Sequence, residues 1–222
     1  MKQIFGQEAF QILPCKKGFL FVVKQEELED KAVINYKMMD FEEMKLKPVT
    51  RHVYLQTKFG KHFEQFKENP DDFLHLRTVL LSDQHLLTVT PKGEAVFYDP
   101  DGNVKWQGDL TYEGCAPYSL ITNEQDLLVS YPAAGAILRY RLPTLRQDFR
   151  IGGGAAPLPQ PEGLFYQHEQ LLICSPETKQ ILQLNPKTLE VEEYASFDEP
   201  VHRYVKYLSN ELVMLDSGIY KL

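Results

Sequence analysis

The sequence predicts an all-β chain folded as a five-bladed β-propeller, and three observations predict it. Short apolar runs recur at 84–89, 125–130, 169–174 and 210–215, with Leu86, Leu127, Leu171 and Leu212 in register at intervals of 41, 44 and 41 residues. A period of about 40–45 residues is the length of one four-stranded blade. The order of strand and turn signals is the same in successive copies. Finally, the second strand of each copy is almost wholly apolar, whereas the fourth carries charge. Such a strand needs cover on both faces, and meanders stacked around an axis supply it.

The copy at 164–194 shows the meander most fully. An apolar strand around Phe165 meets a polar turn at Gln167, His168 and Glu169, and the apolar strand 171–174 follows. A turn at 175–178, a third strand at 180–184, a turn through Asn185 and Pro186, and the polar-alternating strand 189–194 complete it. The copy at 86–107 uses Pro91, Gly93, Asp99, Pro100 and Gly102 in its turns. Proline presets φ near −65° and glycine accepts positive φ, so these residues supply turn backbone.

A first copy begins at 19–23, and its interval to the next exceeds the period. The excess defines an insertion at about 49–73 between the first and second blades of what reads as a single domain, 1–222. The last copy ends at Leu222 after three strands. The stretch Gln3, Ile4, Phe5 and Gly6 precedes the first blade and is expected to supply the missing fourth strand, which ties both chain ends into one sheet.

Composition narrows function. With 24 Lys and Arg against 31 Asp and Glu, the net charge is −7. That balance argues against nucleic acid, whose phosphates demand clustered cations. Cys15, Cys115 and Cys174 are far apart and include no CxxC pair, which fits reduced thiols in the cytoplasm better than a disulfide or metal framework. No segment reads as a secretory signal or a membrane span, and no cofactor is expected.

The glycine approach Gly152, Gly153 and Gly154, the Pro161-Glu162-Gly163 start, the apolar strand 171–173 and the strand 180–184 resemble a blade of the NHL and YncE-like propellers. The resemblance implies a propeller that binds at one end of its central channel and names no ligand. Pro117 and Pro200 repeat the strand-opening proline, but Ser119 and His202 stand where Gly163 would recur. Glu162 is also similar to a carboxylate that points into the channel of metal-dependent lactonases. One carboxylate does not make a hard-cation site, so no metal ligand is assigned.

Four groups remain as candidates. Gly152 to Gly154 lack the Lys-Ser/Thr and helix of a phosphate loop and read as a flexible inter-blade connection. His85 and His168 read as solvated turn histidines. His202, after Asp198, Glu199 and Pro200, is a carboxylate-flanked imidazole in a blade connection, with Tyr112 and Glu113 in another. In the insertion, Phe59, Phe63 and Phe66 fall on one face at helical spacing, flanked by Lys58, Lys61, His62 and Lys67. They either fold onto the ring or present an aromatic surface to a protein partner.

The reading is a non-catalytic binding or scaffolding propeller, for a protein partner ahead of a small molecule, with Phe59, Phe63, Phe66, Tyr112, Glu113, Asp198 and His202 as binding residues. A lactonase-like hydrolase with an ion on the channel axis and a small-ligand sensor are the alternatives. Neither a nucleic acid nor a membrane is an expected partner.

Overall fold

The structure is a computed structural model that describes residues 1–6, 9–15, 18–28, 31–40, 45–67, 75–123, 125–167, 169–185 and 188–222. Its strands form five four-stranded antiparallel sheets. Strand β1 (Lys2–Phe5) leads into the first blade, made of β2 (Ala9–Cys15), β3 (Gly18–Leu28), β4 (Lys31–Asp40) and β5 (Leu46–Pro48). Helix α1 (Arg51–Phe59) and a 3₁₀ segment (Gly60–Phe66) follow. The second blade is β6 (Arg77–Leu80), β7 (Leu86–Val89), β8 (Glu94–Tyr98) and β9 (Val104–Asp109). The third is β10 (Leu120–Thr122), β11 (Asp126–Tyr131), β12 (Ala136–Arg141) and β13 (Arg146–Gly152). The fourth is β14 (Leu164–Gln167), β15 (Gln170–Ser175), β16 (Gln180–Leu184) and β17 (Val191–Ser196).

The fifth blade combines β18 (Val201–Tyr207), β19 (Asn210–Leu215) and β20 (Gly218–Lys221) with β1 as its outermost strand. Lys2 pairs with Lys221 and Gln3 with Tyr220, so both ends of the chain lie in one sheet, as the sequence led us to expect.

Side-chain alternation along the second strands explains the ring. Leu127 and Val129 pack toward Leu87 and Val89 of the second blade, while Leu128 packs toward Leu164 and Ile173 of the fourth. Leu172 and Cys174 turn the other way, against Val201, Val213 and Leu215 of the fifth. Leu212 and Met214 then meet Phe19, Phe21 and Val23 of the first. Each second strand thus feeds two inter-blade cores, and each fully buried aliphatic in them stabilises the fold by roughly 1.5–3 kcal/mol. No single sheet buries its own apolar residues; the ring does.

The insertion is the fifth core. Thr50 caps α1 through its hydroxyl, which accepts from the Val53 amide at 3.4 Å, and Gly60 ends the helix at φ +56°. Tyr54, Leu55, Phe59 and Phe66 wedge between Leu20 and Val22 of the first blade and Leu86 of the second. Phe59 is fully buried and stacks on Phe66 at 4.3 Å, and Lys58 and His62 are buried beside them. Phe63 is only half-buried and meets His52 edge-on at 5.0 Å. The three phenylalanines expected on one face thus all pack into this core, Phe63 at its half-buried margin. The helix phase breaks at Gly60, and Phe59 and Phe66 serve the core, not a docking surface.

Two smaller expectations also change. His85 is not a solvated turn residue, since its ring stacks on Phe97 at 5.3 Å and its Nδ1 lies 2.9 Å from Asp83. Gly152, Gly153 and Gly154 form a tight turn with φ of +70°, +75° and +57°, and the Gly153 amide donates to the Gly135 carbonyl. At Gly152 an added Cβ would stand 2.4 Å from the Gly135 carbonyl oxygen, so glycine is required there by close backbone approach. His168 lies outside the described residues.

Candidate functional site: the rim and axis of the ring

Four antiparallel strands return the chain to the end of the ring where the blade began. The connections at 110–119, 153–163 and 197–200 therefore share one end, and the inner strands start there. Tyr112, Glu113, Asp198 and His202 all lie at this end, while Phe59, Phe63 and Phe66 lie between two blades. Tyr112 accepts a hydrogen bond from Arg150 at 2.9 Å and packs on Tyr131, Glu113 occupies a left-handed turn position at φ +50°, and the Asp198 carbonyl accepts from Lys179. The described contacts do not join these groups into one site.

His202 has the most elaborate surroundings. A bulge between Val201 and Arg203 interrupts the pairing of β18 with β19, and the extra residue, His202, is re-aimed by it. Gly163 permits the approach, because a Cβ there would meet the His202 carbonyl oxygen at 2.4 Å. The ring Nδ1 lies 2.9 Å from Glu162 Oε2 and Nε2 lies 2.6 Å from Asp216 Oδ1. The hydrogen bond to Glu162, aided by that to Asp216, outweighs partial burial and raises the imidazole to about 9. At neutral pH both nitrogens then carry protons and donate, which leaves no lone pair to act as a base. The second Glu162 oxygen, Oε1, accepts from Gln160 at 3.2 Å, so both carboxylate oxygens already have protein donors. Among the described residues, no group of three or more His, Cys, Asp or Glu side chains is arranged to hold a metal ion.

Just inside this rim is a cavity of about 440 Å³, lined by residues from the inner strands of all five blades. That placement puts it on the ring axis. Its apolar wall includes Leu13, Leu120, Leu164 and Phe165; Gln11, Thr78, Ser119 and Tyr118 supply neutral polar groups. Its cationic residues are Arg77, Arg203 and Lys206, with His75 at the exposed mouth. Lys206 pairs with Glu211 on β19. Arg77 donates through Nε to the Tyr118 carbonyl and lies 5.7 Å from the centre of that ring. Burial lowers its proton affinity, and the Arg203 charge lowers it further. Behind the wall, Lys58 donates to the Tyr54 hydroxyl at 3.0 Å, and Tyr54 in turn donates to Gln11 at 3.2 Å. Burial, with the neighbouring Arg77 charge, lowers the Lys58 ammonium to about 7.

Neither arginine stands out in the sequence. The signal is positional: Arg77 pairs with Val89 where Ser119 pairs with Ser130 and Gly163 with Cys174, so all three occupy the opening column of the inner strand. Finding Arg77 requires placing β6 correctly after an insertion that breaks the repeat. Arg203 stands beside the bulge that displaces His202.

Fold and cavity define the class, a five-bladed β-propeller with a cation-lined axial cavity. Solved structures agree on the fold. The chain superimposes on virginiamycin B lyase from Staphylococcus aureus with a TM-score of 0.54 and 11% identity, over 98% of this chain and 84% of that one. It superimposes on glutaminyl cyclase from Myxococcus xanthus with a TM-score of 0.53 and 6% identity, over 96% and 90% of the two chains. At such identities the likeness is one of fold alone. The sequence matches no family model and no curated protein. No helix among the described residues is long and apolar enough to cross a membrane.

Proposed function

We propose that this protein is a non-catalytic binding module that holds a small molecule in the cavity on the ring axis. The observation that carries the reading is the cavity itself, about 440 Å³ and built from every blade. That volume falls within the roughly 300–1,000 Å³ of ordinary ligand sites. Apolar walls with a few convergent polar groups are the usual composition of such sites. The His202 clamp supports a role without catalysis, because this imidazole is held between two carboxylates and joins the 153–163 connection to the turn at Asp216. Burial of Phe59 and Phe66 removes the feature that favoured a protein partner over a small molecule. The blade-level likeness to NHL and YncE-like propellers favours the same end of the channel, and the free thiols of Cys15, Cys115 and Cys174 favour the cytoplasm.

A thermal-shift screen of small metabolites tests the reading, run against the wild type and Thr78→Trp, which fills the cavity from β6. A ligand at about 100 times its Kd stabilises by roughly 2.7 kcal/mol, a rise of about 5 °C or more for a chain of this size. The expected result is a ligand that raises the wild-type Tm, leaves the variant unmoved and is recovered chemically unchanged. Turnover of that ligand, or equal stabilisation of both proteins, overturns the reading.

A further inference from the structure

The cavity has an electrostatic character opposite to that of the protein. The whole chain carries a net charge of −7, yet among the described residues lining the cavity there is no Asp or Glu. Two carboxylates of adjoining segments are committed elsewhere, Glu211 to Lys206 and Glu162 to His202. Arg77 and Arg203 come from the second and fifth blades, which are not neighbours in the ring because the first blade stands between them. Both nonetheless line the one cavity on the axis, where the charge of Arg203 acts on Arg77. Lys58 adds a third basic group behind the wall.

Two guanidinium groups brought together in a half-buried site raise the energy of the empty ring. A cation taken from water needs a counter-charge or a full set of acceptors. The Tyr118 carbonyl and ring supply part of this for Arg77. No ion pair to a carboxylate among the described residues supplies it for either arginine. An oxyanion on the axis would meet both guanidinium groups, and planar guanidinium is the side chain that best matches carboxylate and phosphate oxygens.

We propose that the cavity is selective for a small organic anion whose carboxylate or phosphate group lies between Arg77 and Arg203 and whose apolar body rests on Leu120, Leu164 and Phe165. The proposal rests on the reading of the cavity as the ligand site and adds the charge class of the ligand. Tyr118 and Phe165 suit a planar body, and the oxyanion supplies a counter-charge that no carboxylate among the described residues gives the two arginines.

The test compares three probes of nearly the same shape, benzoate, phenyl phosphate and uncharged benzamide, by calorimetric or NMR titration of the full chain. Benzoate or phenyl phosphate is expected to saturate a single site and to bind at least tenfold more tightly than benzamide; whichever anion binds better identifies the head group. Arg203→Gln, whose native side chain makes no hydrogen bond among the described residues, is expected to weaken the anion at least tenfold and leave benzamide unchanged, with circular dichroism confirming the fold. In the wild type, arginine Nε–H resonances are expected to shift during the titration, a readout that needs no variant. Benzamide binding as tightly as both anions overturns the anion proposal and leaves the ligand site standing. Failure of every probe, together with an uncharged ligand from the metabolite screen, overturns it in the same way. Failure of every probe and of the screen removes both readings.

Discussion

Gln3 and Tyr220 are 217 positions apart in sequence and face each other across the outermost strand pair of the ring, with the Gln3 amide donating to the Tyr220 hydroxyl at 3.2 Å. The pair marks the seam where the propeller closes. Ile4 and Phe5 pack on the core between the fifth and first blades, and Lys37 of β4 sits over the Phe5 ring at 4.6 Å. The seam is therefore held by the neighbouring blade as well as by strand pairing. Deleting residues 1–6 strips β20 of its partner and exposes a sheet edge, which invites aggregation. The expected outcome is a lower Tm and concentration-dependent association, seen by scanning calorimetry and light scattering. Phe5→Ala alone is expected to cost about 1–3 kcal/mol in urea unfolding.

His202 gives the ring a pH-dependent clasp. Its imidazole is raised from 6.5 to about 9 by Glu162 and Asp216, so folding takes up a proton between those values. Its contribution is fully present below about pH 6.5 and is lost as pH rises through about 9. Replacement by Asn is expected to cost about 2 kcal/mol at pH 6, the scale of a charge-assisted hydrogen bond, and much less at pH 9.5. Denaturant unfolding of both proteins at the two pH values checks this. A constant difference would mean that the imidazole is not protonated in the fold.

Much of this architecture is legible in the sequence, for a definite physical reason. Leu127 and Leu128 are adjacent and point into different inter-blade cores, so an uninterrupted apolar strand signals two covered faces. The turns carry proline and glycine because the backbone needs them. The site is less legible, because it is made by stacking. Glu162 and His202 are 40 residues apart and meet only when the fourth and fifth blades pack, and Arg77 and Arg203 come to line one cavity only when the ring closes. The spacing of Phe59, Phe63 and Phe66 does place all three against one core, but spacing alone does not tell a face covered by blades from one left for a partner.

Phe59 separates stability from recognition. It is fully buried against Phe66, so Phe59→Ala is expected to cost about 3–5 kcal/mol by loss of burial and creation of a cavity. Phe63, half-buried against His52, is expected to cost about 1 kcal/mol when truncated. The check is chemical denaturation of both variants beside probe titration. Phe63→Ala should leave anion affinity unchanged, and a large effect on binding from Phe63 would reinstate the insertion as a recognition surface.

Lys58 has the opposite pH signature to His202. The described groups beside it include the Tyr54 hydroxyl, the Tyr54 and Phe59 rings at 5.5 Å, and Arg77 from the second blade, whose charge opposes a second cation. Its folded value of about 7 lies below the unfolded 10.5, so between those values the unfolded chain binds more protons. The penalty for burying the ammonium is therefore fully present below about pH 7 and is removed as pH climbs toward 10.5. Lys58→Met keeps the aliphatic packing and is expected to stabilise the fold by a few kcal/mol at pH 6, with the gain shrinking by pH 9.5. Denaturant unfolding at both values reads this directly. An anion on Arg77 should also raise the Lys58 value, so benzoate or phosphate binding near pH 7.5 is expected to take up protons. Calorimetry in two buffers of different ionisation enthalpy measures that uptake, and the Lys58→Met protein should bind the same anion with less of it.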